Sequence, residues 1–157
     1  MSIDDICSAY EESTDHFLDA VASVSDDHLD RRLPGGWSAR QVIHHMADAE
    51  AQSYARLRRL VAEPAGSIIQ AYDEGAWAEN ETLGYATLPV EHSFDVVRSV
   101  RRASLDILRR LSTSDLDHYG EHTESGHYTM NTWIEIYTDH ARVHAAQLLE
   151  AASSPSD

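Results

Sequence analysis

The sequence predicts an all-α fold, a four-helix bundle with long loop connections that forms a single domain over residues 1–152. Three observations lead to this prediction. Four segments of about 20 residues repeat their apolar residues with the period of an amphipathic helix. No segment shows the alternating apolar and polar pattern of a half-buried strand. The chain of 157 residues, 42% of them hydrophobic, is long enough to bury one sizeable core.

The first two helices have clear limits in the sequence. The first is predicted over residues 3–24, where Ile6, Tyr10 and Phe17 mark its apolar face. A break follows at residues 34–36, which read Pro-Gly-Gly. The second helix begins after Ser38, a good N-cap residue, and stops before Pro64.

The remaining helices are predicted over residues 90–111 and 129–152, and residues 153–157 ("SSPSD") are expected to be a disordered tail. The connection over residues 64–89 is longer than most loops of compact domains, so it is functional or contains a short helix. The next connection carries His118, His122 and His127 and is expected to form a hairpin-like excursion.

Composition excludes several classes of function. The 27 acidic residues outnumber the 12 basic ones, for a formal net charge of −15, which disfavours nucleic-acid and membrane partners. No apolar run approaches the ~20 residues of a membrane span. All basic residues are arginine, so Schiff-base chemistry on a lysine is excluded. The acidic N-terminus and the single cysteine, Cys7, predict a cytoplasmic protein.

His140 and His144 lie four residues apart on the fourth helix, on the face that also carries Trp133, Tyr137 and Leu148. At this spacing both imidazoles can bind one metal ion. The alternative is a pair of buried histidines that neighbouring carboxylates satisfy. Ala141 stands where a zinc protease of the H-E-x-x-H type carries glutamate, which disfavours that class.

A third ligand is available on the second helix, where His44 and His45 lie on opposite flanks of the apolar stripe. Periodicity makes His45 slightly the more inward of the two but does not decide between them. Three histidines from two facing helices would leave open positions on a metal ion, as catalytic sites do. The residues of the stripe are Ile43, Met46, Tyr54, Leu57 and Val61.

Three stretches, "GGWSARQVIHHMADAE", "QAYDEGAWAE" and "DHARVHAAQL", occur in the order and with the gaps of the DinB/YfiT superfamily, and the chain resembles that family over residues 37–149. The resemblance implies a four-helix bundle that acts as a metal-dependent hydrolase or a thiol S-transferase on a small molecule, and it implies a homodimer. The family's tryptophan, matched by Trp37, lies eight residues before the first metal ligand and so selects His45. His140 and His144 match the other two ligands, and the ion is typically nickel or zinc.

Other residues are candidates for the reaction. Glu50 lies on the apolar stripe, where relatives commonly have histidine, and is expected to orient a ligand imidazole or to act as a general base. The alternative is an exposed carboxylate or a structural partner for an arginine such as Arg142. The resemblance places Tyr72 and Asp73 near the mouth of the site, and with Tyr137 they are the candidate substrate-binding residues. His122 falls where relatives carry a histidine, and its role stays open.

Two functional hypotheses follow from the sequence. The first is a metal-dependent enzyme that hydrolyses a small molecule or transfers a low-molecular-weight thiol. The second is a non-catalytic, stress-associated helical bundle with a structural ion. A metal-free interaction module with ordinary core histidines is a third, weaker alternative.

Overall fold

The computed structural model of the protein describes residues 2–155. Its elements in chain order are α1 (Ile3–Ser23), α2 (Ala39–Ala62), β1 (Ser67–Ile69), α3 (Glu74–Glu79), α4 (Glu91–Leu108), β2 (Tyr119–His122), β3 (Gly126–Thr129) and α5 (Met130–Ser153). The four long helices form the predicted bundle. Helices α1 and α2 each pack against both α4 and α5, so α1 and α2 lie on opposite corners.

The long helices begin where side chains satisfy their first backbone N–H groups. Ser38 and Gln41 form a capping box at the start of α2, and the Thr129 hydroxyl accepts a hydrogen bond from the N–H of Thr132 at the start of α5. Helix α4 ends at Leu108, earlier than the predicted residue 111. Tighter bonds from the N–H of Arg110 and of the next residue to carbonyls three residues back close its last turn.

The connections contain a small sheet that the sequence did not predict. Strand β1 pairs with β2 in parallel, and β2 pairs with β3 in the antiparallel hairpin expected over the second connection. These strands show no alternating pattern in the sequence, because strands of three and four residues are too short to show a period. The short helix α3 lies in the long connection, where the sequence allowed one.

A layer of polar side chains divides the core of the bundle. One apolar cluster includes Phe17, Met46 and Leu148 and the other includes Tyr10 and Trp133. Between them lie polar residues that are fully enclosed by the bundle, namely Ser13, Glu50, Ser53, Arg101 and Ser104. Buried polar groups of this kind persist in a core only when they are paired.

Two local expectations need correction. On α2 the inward face below the middle is formed by Ser53, Leu57 and Leu60, whereas Tyr54 and Val61 of the predicted stripe are exposed. A rotation of 100° per residue keeps Val61 in line with Ile43, but the buried positions of α2 follow the 3.5-residue repeat of helices packed in a bundle, so the inward face moves away from that line. At the C-terminus, α5 continues through Ser153, and buried Ser154 bonds to the Ala151 carbonyl, so the start of the expected tail at 153–157 is ordered. Residues 156 and 157 of that tail lie outside the described residues.

Candidate metal centre

His45 lies in the N-terminal half of α2, which the capping box at Ser38 starts in a fixed register. The side chain is 1% exposed, and the Trp37 ring packs against it with ring centroids 4.9 Å apart. The tryptophan therefore covers one side of the imidazole and restricts its orientation.

His140 and His144 lie on successive turns of α5, opposite His45. Their rings meet edge to face with centroids 4.3 Å apart, and both side chains are half-buried. The four-residue spacing on one helix aligns the two rings, and the packing of α5 against α2 brings His45 to them.

The three imidazoles converge through the same ring atom. The Nε2 of His45 lies 3.3 Å from the Nε2 of His140 and 3.2 Å from the Nε2 of His144. All three ligand atoms lie within 4.8 Å of one another. Metal–nitrogen bonds of ~2.0–2.1 Å at a tetrahedral angle separate two nitrogens by about 3.3 Å. The donor set therefore fits one ion with three nitrogen ligands.

Gln147 sets the tautomer of His144. The Nδ1 of His144 lies 2.7 Å from the Oε1 of Gln147, an acceptor, so Nδ1 carries the proton and the neutral ring keeps the Nε2 lone pair free. The Nδ1 atoms of His45 and His140 are buried, and no described residue of the chain forms a hydrogen bond with either.

Burial keeps the three rings neutral. It lowers the pKa of His45 to about 4, with a smaller effect of the charge on His144. The same desolvation, together with the two neighbouring imidazoles, lowers the pKa of His140 to about 2. The pKa of His144 is also lowered by burial, although its bond to Gln147 opposes the change. Neutral imidazole is the form that binds metal ions.

His44, the alternative to His45, lies outside this cluster. Its Nδ1 lies 2.7 Å from the Ser93 hydroxyl and its Nε2 lies 3.1 Å from the Leu88 carbonyl. Both ring nitrogens are thus occupied at the contact between α2 and the start of α4. Since the two histidines are adjacent on a helix, only one of them can face α5.

Glu50 is fully buried and paired with an arginine of α4. Its Oε1 accepts a hydrogen bond from Nη1 of Arg101 at 2.6 Å, and its Oε2 accepts from the Ser53 hydroxyl at 2.9 Å. These contacts match the alternative of a structural arginine partner, although that partner is Arg101 and not Arg142. Arg142 instead contacts Asp139 on the surface of α5. A direct role of Glu50 at the metal centre stays a prediction.

Arg101 has all its N–H groups satisfied. Besides Glu50, it donates to the carbonyl of Tyr137 at 3.0 Å and to that of Tyr10 at 3.4 Å. The side chains of Thr14 and Ser13 accept the remaining bonds, at 2.7 and 2.9 Å. This network joins α1, α2, α4 and α5 beside the metal-ligand helix.

The candidate substrate-binding residues occupy different places. Tyr137 is buried one turn before His140, with ring centroids 6.2 Å apart. Tyr72 packs against Trp77 in the long connection, with centroids 4.7 Å apart. The Asp73 carboxylate caps α3 by accepting the N–H of Ala76 at 2.9 Å. Asp73 therefore has a local structural role, and its contact with a substrate stays a prediction.

His122 ends β2 and has a local role as well. Its Nδ1 accepts weak bonds from the N–H groups of Glu124 and Ser125 in the hairpin turn, and its ring stacks on Tyr128. It is not part of the three-histidine cluster.

Sequence reasoning missed three polar residues of this region: Arg56, Arg101 and Gln147. For Arg101 a signal exists, because it stands four residues after Val97 and four before Leu105, on the inward stripe of α4. Gln147 lies three residues after His144, within reach on the same helix face. Arg56 carries no such signal, since its partners come from segments distant in the sequence.

No helix within residues 2–155 combines the length and the apolar composition that crossing a membrane requires.

Comparisons with known proteins relate the chain to one superfamily. A sequence model of the DinB superfamily matches residues 9–148. A protein of Oceanobacillus iheyensis, named as a candidate metal-dependent hydrolase, is 35% identical over 129 residues, which cover 82% of this chain and 73% of that protein. A relative with the same description from Bacillus mycoides is 31% identical over 139 residues, covering 88% of this chain and 78% of its own.

Among solved structures, YfiT from Bacillus subtilis has a similar fold. It is described as a candidate metal-dependent hydrolase with an unusual four-helix bundle topology. The match has a TM-score of 0.83 at 27% sequence identity and covers 95% of this chain and 85% of that chain.

Proposed function

This chain belongs to the DinB superfamily, and on that premise we propose that it is a metal-dependent enzyme acting on a small molecule. It either hydrolyses a polar bond or transfers a low-molecular-weight thiol to an electrophile. The observation that carries the proposal is the convergence of three neutral Nε2 atoms at separations suited to one ion.

His45, His140 and His144 would hold a divalent ion. Imidazole ligands suit zinc and nickel, the ions typical of the family, as they also suit copper and iron. When bound, an ion on three neutral ligands keeps its full positive charge and lowers the pKa of a water or thiol that binds beside them.

The side chains around the cluster prepare it for this role. Gln147 fixes the ring of His144 with its lone pair toward the other two imidazoles. Trp37 shields His45 on one side, whereas His140 and His144 remain partly exposed. A small substrate can therefore approach from the side of α5, and Tyr137 lies next to that approach.

The two reactions share this arrangement and differ in the nucleophile. In hydrolysis, water attacks the polar bond and its proton leaves to solvent or to the leaving group. In S-transfer, a thiolate forms a bond to an electrophilic carbon, and the leaving group departs with its electron pair. Cys7 does not serve as that thiolate, because it is buried in the apolar cluster around Tyr10, where desolvation raises the pKa of its thiol.

The site assignment is tested by elemental analysis of protein purified from a metal-supplemented culture. The native chain should hold about one equivalent of a divalent ion per chain. His144→Ala should lose it, whereas His44→Gln should retain it, because His44 bonds to Ser93 and not to the cluster. Unchanged metal content in His144→Ala would refute the assignment.

The reaction class is tested on the metal-loaded protein with two assays. Conjugation of chlorodinitrobenzene to an added thiol reports S-transfer, and release of nitrophenol from nitrophenyl acetate reports hydrolysis. Activity in either assay that is lost in His144→Ala but kept in His44→Gln supports the proposal.

A structural ion is the second candidate, and one observation favours it: the ligands come from both α2 and α5, so an ion would tie two helices together. Melting curves with and without a chelator separate the two functions. A structural ion should account for much of the stability, so its removal should lower the melting temperature strongly. A catalytic ion should change it less while activity is lost.

A further inference from the structure

Arg56 lies on α2 and reaches back toward the metal centre. Its Nη1 donates to the hydroxyl of Tyr137 at 3.0 Å, and its Nη2 donates to the carbonyl of Gln70 at 2.9 Å. The Tyr137 ring is next to that of His140. One tyrosine thus separates this guanidinium from the three-histidine cluster.

Within the described part of the chain Arg56 forms no close ion pair, although the carboxyl of Glu74 lies within reach of its charge. Among residues 2–155, the ion pairs closer than 4.0 Å do not include Arg56. Glu74 is near enough for Arg56 to lower the pKa of its carboxyl, although burial has the larger effect and raises that pKa. Six of the twelve arginines, Arg56 among them, form no ion pair closer than 4.0 Å within residues 2–155, so the absence of such a pair does not by itself mark a binding site.

Three buried polar atoms around Arg56 have no hydrogen-bond partner among residues 2–155. They are the Nε of Arg56 itself and the hydroxyls of Tyr72 and Tyr128. Tyr72 lies two residues after Gln70, whose carbonyl Arg56 holds, and Tyr128 packs in the same apolar cluster as Tyr137, the other partner of Arg56. All three atoms can donate a hydrogen bond. Leaving them unpaired costs free energy, which an acceptor bound among them would recover.

We propose that Arg56, Tyr72 and Tyr128 bind an anionic group of the substrate, a carboxylate. This inference rests on the proposed function, because it places the reacting end of the same substrate at the metal centre. A carboxylate accepts hydrogen bonds from a guanidinium and from phenols, and Arg is the side chain best suited to hold it. The substrate class is therefore a small molecule with a carboxylate several bonds away from its reacting thiol or scissile bond.

Tyr72 links this pocket to the long connection over residues 64–89. It is carried by the segment just after Gln70, which Arg56 already holds through its carbonyl. The connection thereby contributes a recognition group to a site whose metal ligands lie on α2 and α5. An alternative role for Arg56 is to fasten this connection to Tyr137 without contact to any substrate.

The test uses zinc-loaded protein and two thiols of equal length, mercaptohexanoate and the neutral mercaptohexanol, with binding measured by calorimetry. The native chain should bind the carboxylate about tenfold more tightly. Arg56→Met should abolish that preference. Arg58→Met, which removes the same charge two residues away where the guanidinium stacks on Tyr54, should keep it. An equal preference in Arg56→Met and the native chain, or none in the native chain, would overturn the proposal.

Two further measurements distinguish loss of the carboxylate site from misfolding and from failure of the metal site. Tyr128→Phe removes only a hydroxyl and should reduce the carboxylate preference about fivefold with an unchanged melting temperature. Hexanoate, which has no thiol, should bind the native chain more tightly than Arg56→Met even without metal. If zinc is not bound but hexanoate binding depends on Arg56, the proposed function fails and the carboxylate pocket stands. If zinc is bound but the affinities for hexanoate and mercaptohexanoate do not change in Arg56→Met, the carboxylate site is refuted and the metal site is not.

Discussion

The Nδ1 of His144 lies 2.7 Å from the Oε1 of Gln147, three residues further along the same helix. The amide oxygen can only accept, so it holds the ring with its proton on Nδ1 and its lone pair on Nε2. That lone pair points toward the Nε2 of His45, 3.2 Å away on α2. Gln147, which is not itself a metal ligand, thus determines whether the Nε2 lone pair of His144 is available to an ion.

Replacing Gln147 should weaken metal binding without removing a ligand. We expect Gln147→Leu to lower the affinity for zinc by roughly 10- to 100-fold, because His144 can then rotate and change tautomer. Gln147→Glu, which keeps the acceptor, should retain or increase the affinity. Competition with a chromophoric chelator measures both, and equal affinities of Gln147→Leu and the native chain would show that the contact does not orient the ligand.

Removing one partner of the buried pair Glu50 and Arg101 should cost much more stability than removing both. Arg101→Met leaves a carboxylate without exposed surface and without its arginine, which should cost about 3–5 kcal/mol of the free energy of unfolding. Removing both charges in Glu50→Leu/Arg101→Met should recover most of the loss. Urea denaturation of the metal-free variants measures the cycle, and additive losses would contradict the coupling.

Glu50→Gln separates a structural role from a catalytic one. Both carboxylate oxygens are occupied by Arg101 and Ser53, so we expect the variant to lose stability yet to keep its metal and its turnover. A general base would behave differently, since its loss lowers turnover about 10²- to 10⁴-fold. Steady-state rates of the metal-loaded variant, compared at equal folded concentration, decide between these roles.

The four long helices could be predicted from the sequence because the signals that mark them are local. The limits of α2 follow from the cap at Ser38 and the stop at Pro64, and its length gives the period many residues in which to show. The pair His140 and His144 is visible for the same reason, as a spacing within one helix. The choice of His45 over His44 needed the family's spacing, because periodicity left both on the flanks of the stripe.

What could not be predicted depends on contacts between distant segments. The partner of Glu50 is Arg101 because α4 packs beside α2, and the sequence contains no information on packing order that would favour it over Arg142. The contacts of Arg56 with Gln70 and Tyr137 arise in the same way. Strand β1 has three residues and exists only because β2 pairs with it.

The metal-free protein should lose stability in mild acid through its buried histidines. Folding lowers the pKa of His45 from 6.5 to about 4 and that of His140 to about 2, chiefly through burial. Below pH 6.5 the unfolded chain therefore binds more protons than the folded chain. The stabilisation is fully present above pH 6.5 and is lost as the pH falls toward 4, by up to about 1.4 kcal/mol per pH unit for each imidazole.

Melting temperatures in the presence of chelator, between about pH 7 and pH 5, measure this loss. His140→Leu should flatten the pH dependence because it removes one of the titrating groups. His16→Gln, on the exposed face of α1, should leave the dependence as it is in the native chain. Parallel curves for the native chain and His140→Leu would show that the buried imidazoles do not cause the acid sensitivity.

The small sheet should depend on Gly120, at the point where β1 and β2 meet. A Cβ at this position would lie 2.7 Å from both the Ile69 side chain and the carbonyl of Ser67, closer than atoms can approach. Gly120→Ala should therefore cost about 1–3 kcal/mol and loosen the connection that carries Tyr72. Gly75→Ala is the matched control, because its Cβ would lie 3.5 Å from the Asp73 carboxylate, in ordinary contact within helix α3. Thermal melts and amide hydrogen exchange of β1 test this, and equal stability of the two variants would refute the close approach.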